Sequence, residues 1–590
     1  MSRDESTSAF PGPPPRLGSS TLPRSALALA LLVWAASGRV ASGAPATAAA
    51  FSGTLTVCAA GCDYASLTND GGLFEAVNAA GLEGDLVVDI ASDLSGETGT
   101  HALEEWTETA PGGYTLLIRP SGGPRTISGS LNGALFRIRG ADRVRIDGST
   151  AATLAPDAGG DPAPRELTLQ NTSTGTAAFV VAVQSVTIDE TSTNSAQDNT
   201  LKNLVILGQS TATTKAGIAL GGNTPGTPGA DNDGNRIENC AVRRAQYGIY
   251  SAGFGTTNPN SGTVITRNDL AGAGADALGR AGIIVFFEDG IEISENHVGG
   301  MVSSGPNDLI GIGLGAQSVD TSQSVSDFPV TNALVARNRI DGIALTSASG
   351  ASAAGIVVAG GAAGPNTVVN NMISGVIAPA NPANLVAGIH VIGAPGSTTR
   401  IYHNTVALAG DRGTRADQNP SFALSATGYD PALVLRNNVL VNTQTSSGGA
   451  GAESYAIGLA TTVFDALDSD GNDFYAAGPN AGYFRTGALT ASAGTDYPTL
   501  AAWSAAVDDD AASLEVDPLL VSATDLHLDA ASPMVDAGLP LPAVTEDFDG
   551  EARSATTPDI GADEIDACGV FCDGFETGDT SRWSLTVPGG

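Results

Sequence analysis

Lysine, aromatic residues and long apolar runs are all scarce in this chain, and each scarcity removes a class of protein. Aromatics make up 5% of the 590 residues and charged residues 15%, so any core must be built from aliphatic side chains. Outside the extreme N-terminus no stretch reaches the roughly 20 apolar residues of a membrane-spanning helix. Lys and Arg total 27 against 62 Asp and Glu, a formal charge of −35. Nucleic acid and anionic membranes are therefore poor partners overall. Five cysteines are few for this length. A phosphate loop, a dinucleotide fingerprint, a serine-nucleophile elbow and a zincin motif are also missing.

What the chain does have is glycine, 75 residues of it, and asparagine in register. Asn338, Asn371, Asn404 and Asn437 recur at intervals of 33 in one local frame. The stretches read Val335-Ala-Arg-Asn338-Arg-Ile340, Val368-Val-Asn-Asn371-Met-Ile373, Ile401-Tyr-His-Asn404-Thr-Val406 and Val434-Leu-Arg-Asn437-Asn-Val439. Asn268 and Asn296 occupy the same frame upstream, 28 apart. An apolar residue lies three before each Asn and another two after it. A second short apolar run follows each frame, as in Gly282-Ile-Ile-Val285, Gly355-Ile-Val-Val358 and Gly388-Ile-His-Val391.

A period of this length marks a solenoid, a propeller or an array. The apolar residues are β-branched and not spaced for helices. Four strands per repeat and aromatic blade signatures are absent, which argues against a propeller. The unit reads as strand, bend, strand, loop. The expected fold is all-β: a right-handed parallel β-helix solenoid, with coils stacked at about 4.8 Å. In such a stack a buried Asn satisfies its amide on the identical residue above and below. Asn268, Asn296, Asn338, Asn371, Asn404 and Asn437 form that expected ladder. Leu204 and Cys240 (in Ile237-Glu-Asn-Cys240-Ala-Val242) fill the same slot earlier, so Cys240 is expected inward, reduced and unpaired.

These frames resemble the parallel β-helix repeats of secreted and surface bacterial proteins, a pectate-lyase-like superfold, from about Asn199 to Ala460. The resemblance implies fold more than function, because the fold hosts lyases, hydrolases, epimerases, adhesins and passive scaffolds.

Five segments are expected. Residues 1–43 read as a signal peptide with its n-region: Arg24 precedes the apolar run Ala26 to Ala35, and small residues follow. Residues 44–155 hold an N-terminal helical cap, Gly72 to Ala80, and the first coils. Residues 156–465 carry the repeats, 466–566 a closing segment and 567–590 a Cys-containing tail. The protein is thus expected to be secreted or at the cell surface, with no transmembrane span after processing. Cys58–Cys62 and Cys568–Cys572 are expected as local disulfides in an oxidising compartment; four thiols without His suit zinc badly.

The chemistry-bearing positions are few. A glycoside hydrolase needs two carboxylates at a defined separation. No Asp pair recurs on neighbouring coils beside the ladder. The Asp-Asp and Gly-His-Gly elements of polygalacturonase-like enzymes and the Arg-x-x-Pro-x-x-Arg of pectate lyases are also absent. What remains is a basic column, Arg337, His403 and Arg436 with Asn370 between, and His390 outward on the next strand. It suits an acidic sugar, with His403 as a base near neutral pH; the competing reading is solvated bend residues. Two Asp-rich loops offer alternating oxygens for calcium: Asp231, Asp233 and Asn235, and Asp468, Asp470 and Asn472. Neither has the terminal Glu of an EF-hand, and such runs also make ordinary turns. No other cofactor is expected. The functional expectation is a noncatalytic exported β-helix acting as a surface scaffold, adhesin or glycan-binding rod. The alternative is a polysaccharide lyase or related enzyme using the basic column, and a polysaccharide or surface glycan is the partner in either case.

Overall fold

The structure, a computed structural model, describes residues 49–155, 162–186, 194–319, 328–346, 351–360, 364–378, 385–393, 396–413, 420–428, 432–446, 453–490 and 493–565. The signal segment, the Cys568–Cys572 pair and the tail lie outside the described residues. The architecture is a right-handed parallel β-helix, the hand expected when right-twisted strands are joined by crossovers.

The chain divides into two compact units. One comprises Met1–Glu292, Ile312–Ala316 and Asp327–Ala333; the other comprises Ile293–Gly311, Gln317–Ser326 and Leu334–Gly590. In the first unit three sheets are built in parallel from successive coils. One sheet runs through Phe51–Val57, Leu82–Ile90, Leu116–Pro120, Val144–Asp147, Thr200–Lys202, Arg236–Glu238 and Val264–Thr266. A second contains Leu167–Asn171, Leu204–Leu207 and Ala241–Arg243; a third contains Ala178–Gln184, Thr214–Gly221, Tyr247–Ala252 and Ala281–Phe286. A helix, Leu73–Ala80, precedes the second strand and buries Leu73, Phe74 and Val77. Cys58 and Cys62 are disulfide-bonded, and Cys240 is free and buried.

The second unit repeats the plan. Its first sheet is Leu334–Ala336, Asn366–Val369, Thr398–Tyr402, Ala432–Arg436 and Leu467–Asp470. Inward residues stack as like on like: Val335 pairs with Val368, Val368 with Ile401, Ile401 with Leu435. Ile340, Ile373, Val406, Leu440 and Phe474 form the matching column across the bend, all fully buried. In the third sheet the strands Ala353–Ala359 and Val386–Gly393 are buried on both faces.

A helix that sequence reading missed, Leu500–Val507, is capped by Thr499, whose hydroxyl accepts from the Ala502 amide at 3.2 Å. It inserts Trp503, which stacks on Phe484 at 5.2 Å and donates its indole N–H to Asp510 at 2.8 Å. Alanine-rich and short, the segment has no apolar period strong enough to announce it.

Candidate functional site

From the coil of Thr200–Lys202 to that of Ala432–Arg436, the chain turns from the first strand into the second through one left-handed residue. In the first unit these are Asn203, Asn239 and Arg267; in the second, Glu295, Arg337, Asn370, His403 and Asn437, with φ between 47° and 56°. The residue that follows points inward and makes the ladder. In the second unit the amide oxygen of each ladder Asn accepts both the backbone N–H and the side-chain N–H of the Asn one coil earlier. Asn296 donates to Asn338 at 3.0 Å, Asn338 to Asn371 at 2.9 Å, and Asn371 to Asn404 at 2.9–3.0 Å. Each Nδ2 also reaches a strand carbonyl of the preceding coil, as Asn404 does to Val368 at 2.9 Å. Every donor and acceptor of a buried amide is thus used.

Asn437 departs from the expected ladder. Asn404 donates to Asn438, and Asn438 to Asn472. Because Ile401 pairs with Leu435 and not Val434, this coil enters its bend one residue late. Asn437 takes the left-handed position and Asn438 the inward one. In the first unit Asn268 accepts from the Cys240 amide at 2.8 Å. Cys240 fills the slot before it with no exposure, and burial pushes its thiol up to about 12.

The one-residue slip also rewrites the basic column, which reads Arg337, Asn370, His403, Asn437. Arg436 falls outside it and pairs with Asp468. The column is not an open groove, because the segment between Leu539 and Glu564 lies on it. Arg337 pairs with Glu295 and, at 3.1 Å, with Glu546. Asn370 donates to the Glu546 carbonyl at 2.6 Å and accepts from Arg553 at 3.0 Å. Asn437 brackets the Leu539 peptide, donating at 2.7 Å and accepting at 2.9 Å. Arg553 pins the far end of the segment through the Gly561 and Ala562 carbonyls at 2.9 and 2.8 Å and the Glu564 carboxylate at 2.9 Å. Ala562 in turn donates to the Thr405 hydroxyl at 2.8 Å.

His403 is buried beneath this cover. Burial, with the nearby Arg553 charge, holds its pKa well below the ordinary histidine value. The Asn437 amide sits 3.0 Å from Nε2, and its orientation is fixed by the Leu539 contacts, so it donates and Nε2 accepts. The lone pair of Nε2 is thus already engaged by Asn437. His390 is not outward either: it is fully buried, with Nδ1 2.8 Å from the Ser425 hydroxyl.

Both Asp-rich loops direct their oxygens to the protein. Asn235 accepts from the Asn199 amide at 3.0 Å, and Asp233 from Ser261 at 2.7 and 3.0 Å. Asp231 accepts from Asn258 at 3.2 Å. In the other loop Asn472 belongs to the ladder, Asp470 accepts from Gly471 and Ala512 at 3.0 and 2.7 Å, and Asp468 meets Arg436. These oxygens are engaged by backbone amides, side-chain donors and Arg436 within the protein, so neither set is left open to a cation.

Two clusters escaped the sequence reading. In the C-terminal segment His527, Asp549 and Asp563 bring ligand-type atoms within 4.8 Å of one another. His527 Nε2 is 2.9 Å from Asp549, and Nδ1 contacts Asp525. The Asp549 hydrogen bond, against burial and aided by Asp525, pushes the ring up to about 9. His527 is therefore the cation of this group. In the first unit Asp147 pairs across strands with Lys202, and Lys202 with Glu238. Glu238 is ringed by Arg236 at 2.5 Å, Lys202 at 3.3 Å and Arg267 at 3.5 Å. Burial pushes its carboxyl up, but the Arg236 hydrogen bond and the three cations outweigh that and hold it below the ordinary range. The signal was present in Arg145-Ile-Asp147 and Arg236-Ile-Glu238. It was lost because unequal loops hide which residues share a column.

No protein-family model matches the sequence, and no curated protein matches it. Among solved structures the chain is similar to the pectate lyase Pel9A, at 13% identity over 88% of this chain and 98% of that one, TM-score 0.35. It is also similar to the A-module of the Azotobacter vinelandii mannuronan C-5 epimerase AlgE6, at 11% identity over 75% and 93%, TM-score 0.31. A third similarity is to the Dettilon tailspike protein, at 11% identity over 70% and 63%, TM-score 0.27.

Proposed function

We propose that the protein is an exported, noncatalytic β-helix that works as a surface scaffold or adhesin and presents its sides to glycans. One observation carries the noncatalytic part. The bend column that carries His403, whose residue types suit acid–base chemistry on a sugar, is closed by the protein's own C-terminal segment. Its histidine is buried, held well below the ordinary histidine pKa by that burial, and hydrogen-bonded through the nitrogen that would take a proton. A general base must come within hydrogen-bond reach of the proton it abstracts, and here Asn437 occupies that place.

The test is incubation of the purified chain with a panel of uronic-acid polymers and neutral glycans. Unsaturated products, reducing ends and binding are followed together. Binding without cleavage is the expected result. Cleavage that survives His403→Ala but disappears with Lys202→Met would replace this reading with the second one. In that second reading the chain is an enzyme on acidic glycans, using the Lys202, Arg236, Arg267 and Glu238 group. That group is favoured over the bend column because Arg236 keeps 37% side-chain exposure.

A further inference from the structure

A second amide stack runs through the first unit, and its last member is an acid. Ala196 donates its amide to Asn232 Oδ1 at 3.2 Å, and Asn232 donates its own to Asn260 Oδ1 at 3.1 Å. On the next coil Asn260 pairs with Glu288, whose Oε1 accepts from Asn260 Nδ2 at 3.2 Å and contacts the Ser251 hydroxyl. Glu288 is 1% exposed, and Asn232, Asn260, Ser251 and Thr263 are fully buried. Oε2 has no hydrogen-bond partner among the described residues.

The surroundings give a carboxylate little help. Strand Tyr247–Ala252 contributes Ser251, strand Asn260–Ser261 contributes Asn260, and Thr263 adds a hydroxyl. The segment before Asn235 contributes Asp233, a negative charge, with Asp231 beyond it. Thr331 supplies only a backbone contact, its amide donating to the Glu288 carbonyl at 2.9 Å. Neighbouring Asp289 turns away to the Thr331 hydroxyl and Asn332. Burial is the largest influence on Glu288, and the charge that adds to it, Asp233, is negative.

We propose that Glu288 is a proton-gated member of this stack: as a neutral acid it stands in for an amide and closes the bend around Ser251, Asn260 and Thr263, and as a carboxylate it loosens that bend. The neutral group has a carbonyl acceptor and one O–H donor, nearer to the carbonyl and two N–H donors of an amide than a carboxylate, which has no donor. Ionisation sends the proton to solvent and leaves two acceptors, one of them unsatisfied, in a dry site.

Burial raises the group to about 7. A folded-state value raised above the unfolded one means that the folded chain holds the proton longer. The stabilisation is fully present below the ordinary carboxylate range and is lost as pH rises through about 7.

Hydrogen exchange of peptides covering 249–263 and 286–290, corrected for intrinsic rates, tests this between pH 5.5 and 8. Wild type should lose protection on the order of tenfold across that window, while Glu288→Gln, which keeps the neutral shape, should stay flat. Equal slopes in the two proteins, or flat protection in wild type, would overturn the proposal. The wild-type measurement decides the matter even if the variant fails to fold.

Discussion

At the scale of single residues, the ladder shows how a polar side chain becomes core. Each Asn amide is buried among aliphatic columns, yet its oxygen receives two donors and its nitrogen gives two. Removing one amide costs more than its own bonds, because the neighbours on both sides keep buried groups without partners. Asn404→Leu should therefore destabilise the second unit by about 1–3 kcal/mol, read as a shift in the midpoint of urea unfolding. Asn437→Leu should leave the stack intact and loosen the C-terminal segment, because Asn437 serves Leu539 and His403. Two variants of equal effect and equal location would contradict the register. Cys240 gives a chemical check at the same scale: its buried thiol should resist alkylation in the native protein and react after denaturation.

At the scale of elements, the C-terminal segment is held by a few polar anchors more than by area. Arg553 is its hub, nearly buried, facing four backbone or carboxylate oxygens and the Asn370 amide. Truncating one partner of a buried ion pair strands the other, at about 3–5 kcal/mol. Arg553→Met should expose residues 539–564 to limited proteolysis while the coils stay folded. A variant that unfolds all at once would show that the segment and the coils form one cooperative block. The coils could be read from sequence because like residues recur at equal spacing. The ladder slots of Asn338, Asn371 and Asn404 needed only counting. Asn437 was misplaced because an extra residue in one loop moved the bend, a change that leaves a plausible apolar frame on either side. The anchor from Glu546 to Arg337 spans 209 residues, and nothing local in either stretch points to the other. The basic column looked available only because its cover was invisible from the repeat.

At the scale of the whole molecule, an excess of carboxylates makes stability a function of pH with opposing terms. Burial lifts Glu288 to about 7 and Asp547 and Asp559 to about 6. Their contributions are full below about pH 4 and fade as pH rises through those values. His527, raised to about 9 by the Asp549 hydrogen bond, contributes below its unfolded value and loses its effect as pH climbs through 9. Glu238, Asp269 and Asp341 are held low by their cationic partners, against burial. Those pairs help above the unfolded carboxylate value and fail as pH falls through the folded ones. The signs together place the thermal-stability maximum near pH 5, on the acid side of neutrality. A melting-temperature profile that peaks above pH 8 would contradict them.

The C-terminal segment also acts as a ruler. Its contacts fall on Arg337, Asn370 and Asn437, so it spans a fixed number of turns. Cutting out residues 371–403 would join Asn370 to Asn404 and keep the ladder in phase. It would nevertheless leave the segment one turn too long for its anchors. A solenoid can otherwise gain or lose whole turns without altering its local rules. Here that freedom is withdrawn wherever the ruler reaches, and changes in length are expected to settle in turns beyond it.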